Sequence, residues 1–289
     1  MKAPAFAYAR PKELTEVLAL MAEHGDNARL LAGGQTLNAT LNMRLSEPSL
    51  LIDLQAVAAL KGITVQSQML RIGAMCTHTE IEDSPLIAQH LPLLKAAVPH
   101  IAHRAIRNLG TFGGSIAYGD PAAEWPACLL ALDGVVIAQG PQGQRRIAAQ
   151  DFFTGLYSTD LREDELIVAC ELPLAKGAQR FAFDELARRH GDYAVVGIAA
   201  TAQVQGQVLR DVRLAWLGAA AQPLRSTRTE SLLEGQTLNE ALLAQAVQSL
   251  KDELPTEADL THSAATKAHL AGVMLKRALK TLTQPANAA

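Results

Sequence analysis

Two segments about eighty residues apart each set a pair of adjacent glycines beside a hydroxyl residue: Leu31-Ala32-Gly33-Gly34-Gln35-Thr36-Leu37 and Thr111-Phe112-Gly113-Gly114-Ser115. They constrain the fold more than any other feature, because a Gly-Gly step marks a place where backbone must come close to something or adopt an unusual φ. Without Cβ atoms, successive N–H groups can converge on an anion, and Thr36 or Ser115 adds a hydroxyl donor. Such pairs suit a pyrophosphate; on spacing alone they suit ordinary turns equally well. Neither G-x-x-x-x-G-K-[ST] nor G-x-G-x-x-G occurs, so a P-loop and a Rossmann pyrophosphate site are not indicated.

Around these segments helix and strand patterns alternate. Arg10-Pro11-Lys12-Glu13-Leu14 predicts a helix with Pro at its first position, Leu14, Val17, Leu18 and Met21 on one face and Gly25 as its stop. Strands are expected at Arg29 to Leu31, Leu50 to Leu54 and Met69 to Ile72, with helices from about Leu91 to His103 and through Pro121 to Leu132. Val135 to Ala138 and Arg145 to Ala148 flank Gly140-Pro141-Gln142-Gly143 as a hairpin. A second unit begins near Ala175-Lys176-Gly177. Strand patterns at Phe181 to Leu186, Val195 to Val204 and Val208 to Leu217 predict an antiparallel sheet backed by helices, the last running to Leu282. The expected division is therefore residues 1–175, residues 176–283 and a disordered tail at residues 284–289.

Hydrophobic residues make up 49% of 289, enough for two cores. A net charge of −3 gives no basic footprint for nucleic acid. No stretch reaches the roughly 18 apolar residues of a membrane span, and the first ten residues lack an apolar signal core, so the expected location is cytoplasmic. Cys76, Cys128 and Cys170 stand apart, which does not support a disulfide framework, structural zinc or an iron–sulfur centre and reads as small buried apolar residues. His100 and His103 have no third ligand at a persuasive spacing, so no metal is expected.

Taken in order, Phe6-Ala7-Tyr8 with Pro11, Ala32 to Leu37, Ile72-Gly73-Ala74-Met75-Cys76-Thr77-His78, Arg107 to Ser115, Asp120-Pro121-Ala122-Ala123-Glu124 and Arg188-Arg189-His190-Gly191-Asp192-Tyr193-Ala194 resemble the FAD-binding medium subunit of the molybdenum hydroxylases, the xanthine dehydrogenase and carbon monoxide dehydrogenase group. The resemblance spans almost the whole chain. It implies an α+β protein with a two-subdomain FAD-binding fold of the PCMH type, followed by a C-terminal antiparallel sheet with helices. It also implies that Ala32, Gly33, Gly34, Gln35, Thr36 and Leu37, together with Thr111, Gly113, Gly114 and Ser115, hold the FAD pyrophosphate through backbone donors. Asp120 and Glu124 are placed at the ribityl or ribose hydroxyls, Thr77 and His78 near the flavin, Ile167 in the same site, and Asp192 and Tyr193 beside the isoalloxazine, with Tyr193 covering one face. Read without the resemblance, Glu124 is equally a helix-start carboxylate facing the macrodipole. Relatives often carry Lys where Asp184 stands, which puts a flavin or nicotinamide contact at that position in doubt.

The activity so implied is electron transfer. A large molybdopterin subunit hydroxylates the substrate, a small [2Fe–2S] subunit relays electrons, and the FAD of this chain passes them to an external acceptor within an (αβγ)₂ assembly. No catalytic side chain and no metal ligand is then expected here. Two alternatives stand beside it: a self-sufficient flavin oxidase or reductase of the same FAD-binding superfamily, and a nonenzymatic module that uses the glycines only as turns.

Overall fold

The computed structural model describes residues 2–284; of the expected tail, only Gln284 falls within them. Three strands near the N-terminus, Ala7–Ala9, Leu50–Asp53 and Ala28–Leu31, pair in parallel with Leu50–Asp53 in the middle. Helix Leu14–His24 makes the crossover between the first and last of these, its Val17 fully buried and Leu14, Leu18 and Met21 packed around the same core. It starts later than Pro11 predicts, because Glu13 and Glu16 form a capping box that fixes the first turn. Gly25 ends it with φ +48°.

A five-stranded antiparallel sheet forms the centre, with Leu166–Pro173 flanked by Met69–Gly73 and Val135–Gly140, and Ile63–Gln66 and Gly143–Ala148 at the edges. Both faces of its central strand are covered. Leu166 and Val168 meet the N-terminal core, whereas Ile167, Cys170 and Leu172 meet the helices on the other side. This explains an apolar run without alternation. A bulge between Ile167 and Ala169 shifts the register there, a device that re-aims a side chain.

The third sheet is antiparallel, in the order Gln179–Ala187, Ala194–Gln205, Val208–Leu217 and Leu224–Arg225, backed by helices Glu240–Glu253 and Ala264–Thr283. Its other face joins the central core through Ala194, Ala199, Ala215 and Leu217.

Two helical expectations need correction. The stretch from Leu91 to His103 is broken into helix Pro92–Ala97 and the 3₁₀ turn Val98–His100, because Pro99 has no N–H to continue the ladder. The second glycine segment is not a loop. Helix Phe112–Tyr118 runs through both glycines, with Thr111 as its N-cap and Gly119 closing it in the left-handed region. A single tertiary contact overrides the low helix propensity of Gly-Gly here: Gly113 lies on Ala74 so closely that a Cβ would come within 2.5 Å of the alanine methyl.

Candidate functional site

A cavity of about 700 Å³ lies where the parallel sheet, the central sheet and the turn before Ala194 meet. That is within the roughly 300–1,000 Å³ typical of small-molecule sites. The first glycine segment forms one wall. A Cβ on Gly33 would fall 2.2 Å from the carbonyl oxygen of Leu109 and 2.8 Å from Cα of Gly110, so the two segments touch backbone to backbone. Gly34 takes φ +71°, which a side chain would strain. Because of this path, the N–H groups of Gly33, Gly34, Gln35, Thr36 and Leu37 donate to no protein acceptor among the described residues. Unspent backbone donors gathered on a cavity wall suit an anion.

The second segment differs. Phe112 and Gly113 N–H groups donate to the carbonyls of Cys76 and Ala74, both at 2.9 Å, Gly114 donates to Thr111 Oγ1 at 3.2 Å, and Ser115 to the Thr111 carbonyl at 3.1 Å. Its amides are consumed by the fold. What it offers the cavity is hydroxyl: that of Ser115 has no partner among the described residues, and Thr111 keeps a proton to donate. Gly33 and Gly113 line the cavity and are also small because chain packs on chain there, Gly33 against Leu109 and Gly110 and Gly113 against Ala74.

Behind this wall Thr77 caps helix His78–Asp83 in a capping box with Glu80. Thr77 itself does not line the cavity, since its N–H and hydroxyl are both spent on Glu80. His78 does line it. Trp125 Nε1 donates to His78 Nδ1 at 2.9 Å, and burial, helped by the charge of Arg107, lowers the imidazole pKa to about 4. His78 is thus neutral, with its proton on Nε2.

Asp120 and Glu124 enter the cavity from the start of helix Glu124–Ala131. Asp120 accepts from the Ala122 N–H at 2.9 Å with one oxygen, and burial raises its pKa. Glu124 is buried more deeply still. Desolvation first, then the negative charge of Glu185, pushes it up to about 8, so at neutral pH it is a protonated acid able to donate and accept. Ile167, next to the bulge, adds an apolar surface.

The turn Arg188 to Tyr193 closes the remaining side. Gly191, with φ +79°, presses on Ala102, and Asp192 is held 3.3 Å from Arg188 and 3.6 Å from Arg189. Tyr193 lines the cavity while remaining 66% exposed, an aromatic face with no ring stacked on it among the described residues. Asp184 points elsewhere: it pairs with Arg277 of the last helix at 3.6 Å and is absent from the cavity wall. The three cysteines are buried and free, and no cluster of metal-binding side chains occurs among the described residues.

Residues 4–175 match the sequence profile of the FAD-binding domain in molybdopterin dehydrogenase, and residues 181–282 match the C-terminal domain of carbon monoxide dehydrogenase flavoprotein. The chain belongs to the FAD-binding family of the molybdopterin dehydrogenases. Within it, the chain is 38% identical to the alpha subunit of the 6-hydroxypseudooxynicotine dehydrogenase complex of Paenarthrobacter nicotinovorans, covering 96% of this chain and 95% of that one. It is 36% identical to the carbon monoxide dehydrogenase medium chain of Hydrogenophaga pseudoflava, covering 96% of each. Quinoline 2-oxidoreductase from Pseudomonas putida 86 superposes with a TM-score of 0.93 at 36% identity, covering 98% of both chains.

The site of this family member fits FAD on its own geometry. Five unspent amides answer a diphosphate, two buried carboxyls answer hydroxyls, and an unstacked tyrosine answers a flat ring. Among the cavity's residues Arg29 is the sole arginine or lysine, and its guanidinium is engaged with the Asp26 and Ala28 carbonyls. Backbone must therefore supply most of the attraction for phosphate. Sequence reasoning missed Ala74, Met75, Ile101, Ala102 and Tyr118 on the wall. Of these, only Ala74 carried a usable signal, a small residue just after a strand and positioned to accept a glycine.

Proposed function

We propose that this chain is the FAD-carrying electron-transfer subunit of a molybdopterin-containing hydroxylase or dehydrogenase, receiving electrons from the [2Fe–2S] clusters of a small partner subunit and passing them to an external acceptor. The unspent amides of Gly33 to Leu37, opening on a cavity that the second segment also lines, carry the reading. FAD bound there supplies the means to link one-electron donors to a two-electron acceptor.

The chain's own residues do the rest. The first segment binds the diphosphate through N–H groups, with Thr111 and Ser115 adding hydroxyl donors. Asp120 accepts from a sugar or ribityl hydroxyl through the oxygen that Ala122 leaves free. Glu124, protonated at neutral pH, holds a proton at its carboxyl in the cavity wall. His78 stays a neutral Nε2–H donor because Trp125 occupies its other nitrogen. Tyr193 covers one ring face and limits water. Asp192 is held by Arg188 and Arg189 and orients the turn that carries Tyr193.

The partners belong to the proposal: a large subunit with the molybdopterin cofactor and the substrate, and a small subunit with the clusters, in an (αβγ)₂ assembly. So do the domain limits at residues 1–175 and 176–283, and a cytoplasmic location; among the described residues no helix is long and apolar enough to cross a membrane. Acid treatment of the purified chain should release FAD, and adding both partners should restore substrate-dependent flavin bleaching. Multiple turnovers by the chain alone would instead establish a self-sufficient flavin enzyme.

A further inference from the structure

The buried acid in the cavity wall has neighbours that lead away from the cavity. Among the described residues the Glu124 carboxyl has no hydrogen-bond donor beyond its own N–H. Glu185, on strand Gln179–Ala187, has a side chain only 3% exposed and is close enough for its charge to act on both Glu124 and Cys128, one helical turn further on. Gly197 lies opposite Glu185 in the sheet, so no side chain crowds it from that strand. One Glu185 oxygen stands 3.4 Å from His100 Nδ1, and the other is buried with no partner. Phe183, on the same strand face as Glu185, tilts its ring on His100 at 5.1 Å between centroids. His100 ends the turn Val98–His100 with its side chain 36% exposed, in reach of solvent.

An orphaned buried acceptor costs stability and calls for an explanation. Glu185 leaves one free in the dry region that Glu124 and Cys128 share. Besides Glu185, the titratable groups that share a charge interaction with Glu124 are Asp120, Cys128 and Tyr193, and Tyr193 feels the charge of Glu124. The acid and the candidate ring cover thus belong to one end of the cavity.

We propose that Glu124, Glu185 and His100 form a proton path between the flavin cavity and solvent at the Val98–His100 turn, a second route besides the cavity mouth. The path rests on the FAD reading above. Two electrons and two protons take an oxidised flavin to its neutral dihydro form. For each proton drawn this way, Glu124 gives up its carboxyl proton, a proton from solvent enters at His100 and passes to the Glu185 carboxylate, and Glu185 hands it on to Glu124, so that Glu185 ends as the carboxylate it began as and Glu124 as the acid. No electron passes through these side chains, and their charges are unchanged afterwards.

The test uses the full chain loaded with FAD, reduced by dithionite in stopped flow at neutral pH, at concentrations where the bleaching rate no longer depends on dithionite. Glu185→Gln and His100→Ala should retain full FAD yet bleach at least about tenfold more slowly, within the range proton transfer contributes in other sites. Imidazole in the buffer should restore His100→Ala and leave Glu185→Gln slow, which a merely structural pair would not do. A second readout needs no reduction rate: the infrared carbonyl band of a protonated carboxyl should disappear in Glu124→Gln and exchange with D₂O more slowly in Glu185→Gln. Unsubstituted chain that holds no FAD would overturn both the FAD reading and the path. Full FAD content with unslowed bleaching in Glu185→Gln and His100→Ala, or unslowed carboxyl exchange in Glu185→Gln, would overturn the path alone.

Discussion

Trp125 donates its indole N–H to Nδ1 of His78 at 2.9 Å, joining the first turns of two helices behind the cavity. The bond settles the tautomer of a buried imidazole, and Gly110 makes room for it, since a Cβ there would lie 2.7 Å from Nε2. Trp125→Phe keeps a ring against Phe112 but leaves Nδ1 without a donor. Denaturant titration should show a loss of about 1–3 kcal/mol. Unchanged stability would mean that the bond contributes nothing net.

Glu124 and His78 give the stability opposite pH slopes. The folded pKa of Glu124 is raised from 4.5 to about 8, so its contribution is full below 4.5 and is lost as pH rises through 8. That of His78 is lowered from 6.5 to about 4, so its contribution is full above 6.5 and is lost as pH falls through 4. Above pH 6.5 only the Glu124 slope remains. Glu124→Gln should therefore remove a decline of about 2 kcal/mol between pH 6.5 and 8. A variant whose stability still falls in parallel with the unsubstituted chain would show that Glu124 is ionised in the fold.

Gly33→Ala should cost far more than its single methyl suggests, because the methyl meets the Leu109 carbonyl. The two segments must part, and FAD content should drop with the melting temperature. Gly155→Ala is the control: its nearest neighbour would be the Ser158 Cβ at an ordinary 3.8 Å, and its effect should stay within about 0.5 kcal/mol. Equal FAD content in both would dissolve the argument from close approach.

Ser115→Ala probes the claim that the second segment acts through hydroxyls. Losing one hydrogen bond of about 1 kcal/mol should weaken FAD binding by about fivefold without moving the apoprotein melting temperature. FAD titration by fluorescence quenching measures it.

Tyr193→Ala should keep FAD stoichiometry while raising flavin fluorescence and oxygen reactivity, since the side chain makes no hydrogen bond to another described side chain and only covers. Identical spectra and reoxidation rates would remove Tyr193 from the site.

Much of this was legible from residue order. The hairpin Val135–Gly140 with Gly143–Ala148, the three long C-terminal strands and the stop at Gly25 follow from local turn chemistry and periodicity. The glycine segments were visible too, but not their division of labour: whether a glycine faces a ligand or another strand of chain depends on partners such as Leu109 and Ala74, which no local pattern names. The same holds for Glu185, whose meeting with His100 joins positions far apart in sequence. Helix Phe112–Tyr118 escaped for that reason, since Gly-Gly reads as a turn until Thr111 is seen to cap it.

The contact of Gly33 with Leu109 and Gly110 has a consequence for assembly. The cradle's five amides belong to one layer and its hydroxyls to another, so neither layer alone is a complete receptor. Cofactor affinity is then also cohesion: whatever FAD gains by binding is gained by the seam, in proportion to the logarithm of its free concentration. Damage anywhere along that seam, even at a residue no nucleotide touches, would first be noticed as a paler protein.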